Sequence, residues 1–174
     1  FFSGMPAEYQ WRPPLKFDNG VDAYVDSYFP QFLAVGMTTG YMLCFEAPFQ
    51  CVKEFMLAHP EKMFELTQYK QQPVLAAVHR PPEDFKELLG LLSPDKKLES
   101  INQVTSSGLT ALDRAARNGY HENLRALLEY RADLEPRRLA DNGTPLLSAA
   151  HEGYPECCKA LLEFRADVHA VMHK

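Results

Sequence analysis

One stretch of this chain is written twice, with substitutions. The run TALDRAARNGYHENLRALLEYRADL from Thr110 returns as TPLLSAAHEGYPECCKALLEFRADV from Thr144, at a constant offset of 34 residues. The agreement runs through Leu112/Leu146, Ala115/Ala149, Ala116/Ala150, Gly119/Gly153, Tyr120/Tyr154, Leu127/Leu161, Leu128/Leu162 and Asp133/Asp167. A period of this length confines the fold to stacked units, because one such unit cannot bury its apolar face alone. Each copy has room for two short helices, over 111–118 and 121–130 in the first. Thr110 and Thr144 suit the free amides at a helix start. Gly119 and Gly153 suit a tight turn between helices, where positive φ is needed. The paired alanines let the first helices approach closely, and Leu124, Leu127 and Leu128 fill the layer behind them, with Phe85 and Cys158 in the place of Leu124.

Thr144-Pro145-Leu146 followed by Ala149-Ala150, and Thr110-Ala111-Leu112 followed by Ala115-Ala116, resemble the T-P-L-H-x-A signature of the ankyrin repeat. The residue after the leucine departs from the family's histidine, being Asp113 in one copy and Leu147 in the other. Arg131 and Arg165 stand where the family places glycine before Ala-Asp, at a position that tends to a left-handed backbone. A degenerate third unit lies upstream: Pro82–Leu89 aligns with Pro155–Leu162, and Ala76-Ala77 precede it. Ile101-Asn102 and Thr105–Gly108 resemble the family's connector, with a longer loop around Pro94–Lys97. The resemblance covers residues 71–174 as units 71–105, 106–139 and 140–174. It implies an all-α solenoid of helix pairs that recognises proteins. It also implies that Asp113, Arg114, Arg117 and His151, on first helices, help line a concave partner surface. The long side chains of Arg131 and Arg165 are further candidates for partner contact.

The resemblance leaves residues 1–70 unexplained. Residues 1–27 read as an extended arm, with Phe1, Phe2, Tyr9, Trp11 and Phe17 unperiodic and Pro6, Pro13 and Pro14 breaking any helix. Residues 28–46 carry no charge between Asp26 and Glu46. A bilayer span needs about 20 mostly apolar residues, so a transmembrane helix is one reading. Gly36 and Gly40 would then form a small-xxx-small packing face. A buried core helix with those glycines at a tight crossing is the other. Phe49, Val52, Phe55 and Met56 recur at three- and four-residue steps and predict an amphipathic helix from Pro48 to His59. Pro60 ends it, and a further short helix falls within 61–70. Directly after a span, such a helix would lie in the membrane interface, where 28–56 could touch lipid or pigment.

A net charge of −5 argues against a nucleic-acid surface. No phosphate-cradling glycine motif, zinc helix or nucleophile elbow is present, so neither catalysis nor a cofactor is expected. His169 and His173 alone make a poor metal site. Cys44 and Cys51 lack a C-x-x-C spacing and read as small apolar fillers, while the adjacent Cys157 and Cys158, on the second helix of a repeat, read as packing and a surface thiol. A first residue of Phe1 is compatible with a trimmed start or a cleaved targeting peptide. The expected function is that of a non-catalytic accessory subunit binding other subunits of an organelle membrane complex, thylakoid or mitochondrial. The alternative is a soluble, cytoplasmic ankyrin adaptor whose N-terminal half is a helical cap.

Overall fold

A computed structural model describes residues 36–171. The expected arm 1–27, the start of the charge-free stretch and His173 lie outside the described residues. All regular structure among the described residues is helical: α1 (Thr39–Glu46), α2 (Phe49–Ala58), a 3-10 turn (Pro60–Phe64), α3 (Pro73–Ala77), α4 (Pro82–Leu91), α5 (Pro94–Ile101), α6 (Ala111–Asn118), α7 (His121–Glu129), α8 (Pro145–Glu152) and α9 (Pro155–Glu163).

The helices α1/α2, α6/α7 and α8/α9 pack as pairs, and α3 and α4 follow one another at the corresponding places. The first members stack in an inner layer, α1 on α3, α3 on α6 and α6 on α8, and the second members stack behind them. Four units therefore follow one another, one more than the sequence resemblance covers. The backbone repeats with them. Left-handed residues Gly36, Lys70, Gly108 and Asn142 (φ 75°, 56°, 82° and 56°) each stand two positions before an inner-helix cap, at Thr38, Gln72, Thr110 and Thr144. The turns ahead of α3 and α6 are built alike. Thr67 Oγ1 accepts from the Gln71 amide at 3.2 Å, and Thr105 Oγ1 from the Leu109 amide at 3.0 Å. Successive turns are joined laterally, the Gln68 amide donating to Gly36 O and the Ser106 amide to Tyr69 O.

This geometry corrects the reading of 28–46 as a membrane span. Gly36 occupies a turn, Thr38 caps α1 by accepting from the Tyr41 amide at 3.3 Å, and α1 holds only eight residues. Eight residues span about 12 Å, well short of the ~30 Å hydrocarbon core. No helix among the described residues is long and apolar enough to cross a membrane. Gly36 and Gly40 do not share a helix face. At Gly40 a Cβ would lie 2.9 Å from Lys62 O and 3.1 Å from Pro73 Cγ, so the glycine serves the close approach of α1 to the 3-10 turn and α3. The part of the stretch that forms α1 is an interior helix, with Tyr41, Met42, Leu43 and Cys44 buried. The amphipathic helix expected over 48–59 is α2, and it buries Cys51, Val52, Phe55 and Met56. The expected long loop at Pro94–Lys97 is instead the start of α5, whose Ser100 and Ile101 are buried.

A buried guanidinium closes the first two units together. Arg80, in the turn after α3, donates from Nε to Cys44 O at 2.6 Å and from Nη2 to Leu43 O and Ala47 O at 2.7 and 2.6 Å. These are carbonyls at the C-terminal end of α1, where a cation is favoured and only Leu43 O also takes an amide, that of Ala47. From the next unit, Asn123 Nδ2 reaches back to Val78 O and Arg80 O, both at 2.8 Å. Phe55, Leu88, Leu127 and Leu161 occupy one position of the four outer helices and are fully buried. Leu128 is 4% exposed under the last helix pair, whereas its counterpart Leu162 is 46% exposed. Cys158, at the position of Leu124, packs only at the core's edge, while its neighbour Cys157 is fully buried.

Arg131 and Arg165 hold the left-handed backbone that their place after α7 and α9 requires, at φ 64° and 71°. Their amides donate to Leu128 O and Leu162 O, closing the helix ends. A left-handed L-residue costs roughly 1–2 kcal/mol, part of which glycine returns through its freer unfolded chain. Arg131→Gly and Arg165→Gly are therefore expected to leave stability unchanged or raised by up to about 1 kcal/mol. Thermal melts would check this, and a clear fall in melting temperature would mean the arginine side chains hold the turns.

A candidate partner-binding groove

The inner helices and the tips of the turns enclose a groove of about 980 Å³. Tyr41, Phe45, Leu75, Tyr69 and Leu109 form its apolar wall, and Arg114, Arg117, Asn118 and Glu152 its polar one. A smaller cavity of about 260 Å³ adjoins it between α6 and α8, bounded by Arg117, Arg138, Ser148, His151 and Glu152. Arg117 lines both. Three of the residues expected on the concave surface, Arg114, Arg117 and His151, therefore stand along it. Arg114 Nη1 donates to Leu75 O at 3.3 Å, and its guanidinium lies 5.9 Å from the Phe45 ring centre. His151 is exposed, with Nδ1 3.4 Å from Glu152 Oε1. Arg131 and Arg165 line neither cavity, lying at the ends of the outer helices.

Asp113 does not face a partner. It is fully buried in the capping box of α6, where Oδ2 accepts from the Thr110 amide at 3.2 Å and from Thr110 Oγ1 at 3.1 Å. The Asp113 amide donates back to Thr110 Oγ1 at 3.2 Å. Spacing alone put Asp113 on a first helix; the reciprocal cap turned it inward. Burial pushes its carboxyl up to about 6, against the lowering effect of the Thr110 hydrogen bonds and of Arg138 and Arg117.

A folded-state pKa above the ordinary 3.8 means that the proton is held more tightly folded than unfolded. Stability therefore falls as pH rises from about 4 to about 6. A shift of about two units corresponds to roughly 3 kcal/mol. Other carboxyls also titrate there: Asp141, whose pKa Arg138 and the Gly143 amide lower, acts in the opposite sense. The readout is thus a comparison of urea melts of the native chain and Asp113→Asn. The native chain should lose a few kcal/mol relative to the variant between pH 4 and pH 7. Parallel pH profiles would contradict a buried, titrating Asp113.

Arg138 is a site residue that the repeat comparison did not bring out. Nearly buried, it donates from Nη1 to Ser148 Oγ at 2.5 Å and grips Asp141 through Nε and Nη2 at 3.0 and 2.8 Å. It ties the last turn to α8. Its signal was faint, because no counterpart occurs at the same place in the other copy. Cys44, Cys51 and Cys157 behave as core, with Cys158 at its edge. Burial raises the thiols of Cys44 to about 12 and of Cys51 and Cys157 to about 11, far from the thiolate form that reacts. Among the described residues no group of three or more His, Cys, Asp or Glu is placed to hold a metal ion.

The sequence pattern of ankyrin repeats, in three copies, matches residues 74–172. The chain belongs to the ankyrin-repeat family. Ankyrin repeats are a protein–protein interaction module, and the matched copies correspond to α3 through α9. The α1/α2 unit falls outside the match although its turn, cap and stacking follow the ankyrin geometry. No curated protein matches the chain.

Proposed function

We propose that this ankyrin domain is a non-catalytic adaptor that holds a partner protein in the groove along its inner helices. The observation that carries the reading is that groove itself, open, of about 980 Å³ and walled by side chains of the four inner helices and the turns between them. The membrane-subunit reading drew part of its support from a span over 28–46 and a glycine packing face. With Gly36 in a turn and Gly40 inside an eight-residue buried helix, that support is gone.

A photo-crosslinking amino acid placed at Asn118, on the groove, and separately at Glu122, on the outer layer, tests the reading in the native host. Crosslinks to a partner from Asn118 and none from Glu122 are expected. Crosslinks from Glu122 alone would move the interface to the convex side and refute the proposal.

A further inference from the structure

We infer that the occupant of the groove is an acidic protein segment carrying one aromatic or bulky aliphatic anchor, an inference that rests on the groove reading above. The chain carries 23 acidic against 18 basic residues. Several of its cations already have carboxylate partners: Lys53 with Glu87, Arg125 with Glu163, Arg137 with Glu135 and Arg138 with Asp141. Arg114 and Arg117, one helical turn apart on α6, pair with no carboxylate among the described residues. Arg114 is positioned rather than neutralised. The Leu75 carbonyl takes one of its five N–H donors, and the Phe45 face steadies the guanidinium from the side. Arg117 is exposed and makes no hydrogen bond with a described residue.

The nearby carboxyls feel the Arg117 charge, which helps to lower the pKa of Asp113 and of Asp141, but neither forms an ion pair with it. Asp113 is sealed in its capping box, and Asp141 is held by Arg138. Glu152, on α8, closes the far wall and repels an acidic ligand there. Carboxylates of the occupant are therefore drawn to the α6 side, between Arg114 and Arg117. The anchor side chain is then left to the apolar end formed by Tyr41, Tyr69, Leu75 and Leu109. Tyr69 is 51% exposed at that end, an aromatic surface with a polar tip of the kind that carries recognition. A nucleic acid does not fit the same site, since its phosphates would meet a chain of net charge −5 with only two cations on offer.

Fluorescence anisotropy on the full chain tests this with three labelled peptides. One has a central phenylalanine flanked by glutamates, the second has lysines in place of the glutamates, and the third has serine in place of the phenylalanine. The glutamate–phenylalanine peptide should bind best. Arg117→Glu should weaken it about ten-fold or more, and added salt should weaken it further. A thermal melt of Arg117→Glu should match the native chain, because the side chain is exposed. Equal or tighter binding of the lysine peptide, indifference to Arg117→Glu, or no binding of any peptide would overturn the inference. The two readings fail separately. Crosslinks at Asn118 with no acidic preference reject the partner chemistry alone, whereas crosslinks confined to Glu122 reject the groove.

Discussion

Replacing Arg80 by alanine should cost the chain about 2–6 kcal/mol, because three buried carbonyls lose a charged donor, two of them are left without any other backbone donor, and each orphaned group costs roughly 1–3 kcal/mol. The carbonyls are those of Leu43, Cys44 and Ala47; Leu43 O also takes the Ala47 amide at 3.0 Å, whereas the residue that would serve Cys44 O is Pro48, which has no N–H. Part of the loss will be recovered if water enters the gap, so the measured figure is expected toward the lower end. Arg80→Lys should lose less than alanine but stay well below the native chain. A single ammonium keeps the charge and cannot reproduce the planar fork that serves three acceptors at once. Urea unfolding of the two variants gives both numbers. A loss under about 1 kcal/mol for alanine would mean that α1 is not closed by this guanidinium.

The second large effect lies in the outer layer. Leu127→Ala and Leu161→Ala should each destabilise by about 2–5 kcal/mol, the range for truncating a buried leucine whose surroundings cannot collapse into the space. Both side chains are fully buried. Leu162→Ala, one residue from Leu161, is the internal control. With its side chain 46% exposed it should cost under about 1 kcal/mol. The contrast between adjacent leucines reads the register of α9 directly. Similar losses at Leu161 and Leu162 would contradict the helix face assigned here.

The repeat was legible from residue 71 onward because two copies had kept the same residues at the same offset. The helix limits read from Thr110 and Gly119 fall within a residue of α6 and α7. The first unit was not legible, for two physical reasons. Its inner helix is apolar all round, which hydropathy alone cannot tell from a membrane segment. The α5 insertion also shifts the spacing between caps Gln72 and Thr110 to 38 residues, which breaks the constant period between Thr38 and the later copies. A signal was nonetheless present. Gly36-Met37-Thr38 parallels Gly108-Leu109-Thr110, and Cys51-Val52-Lys53 parallels Cys157-Cys158-Lys159. Both pairs mark the same places in the unit, the turn with its cap and the buried face of the outer helix.

The groove was partly legible for a related reason. Helix periodicity put Arg114, Arg117 and His151 on inner helices, and stacking brought them to one face. It could not tell that Asp113 would turn inward, because the choice between capping and exposure is made by Thr110 three residues earlier. Nor could it find the apolar wall, since Tyr41, Phe45 and Tyr69 come from a segment whose repeat register was hidden.

That residues 36–70 are the first ankyrin-type unit of a four-unit stack is tested most directly by native-state hydrogen exchange on the full chain. The amides of Leu43 and Cys44 in α1 and of Phe55 and Met56 in α2 should be protected to a degree comparable with those of Ala115 and Ala116 in α6, since all sit in one packed layer structure. Rapid, unprotected exchange throughout α1 and α2 while α6 to α9 remain protected would contradict the four-unit fold.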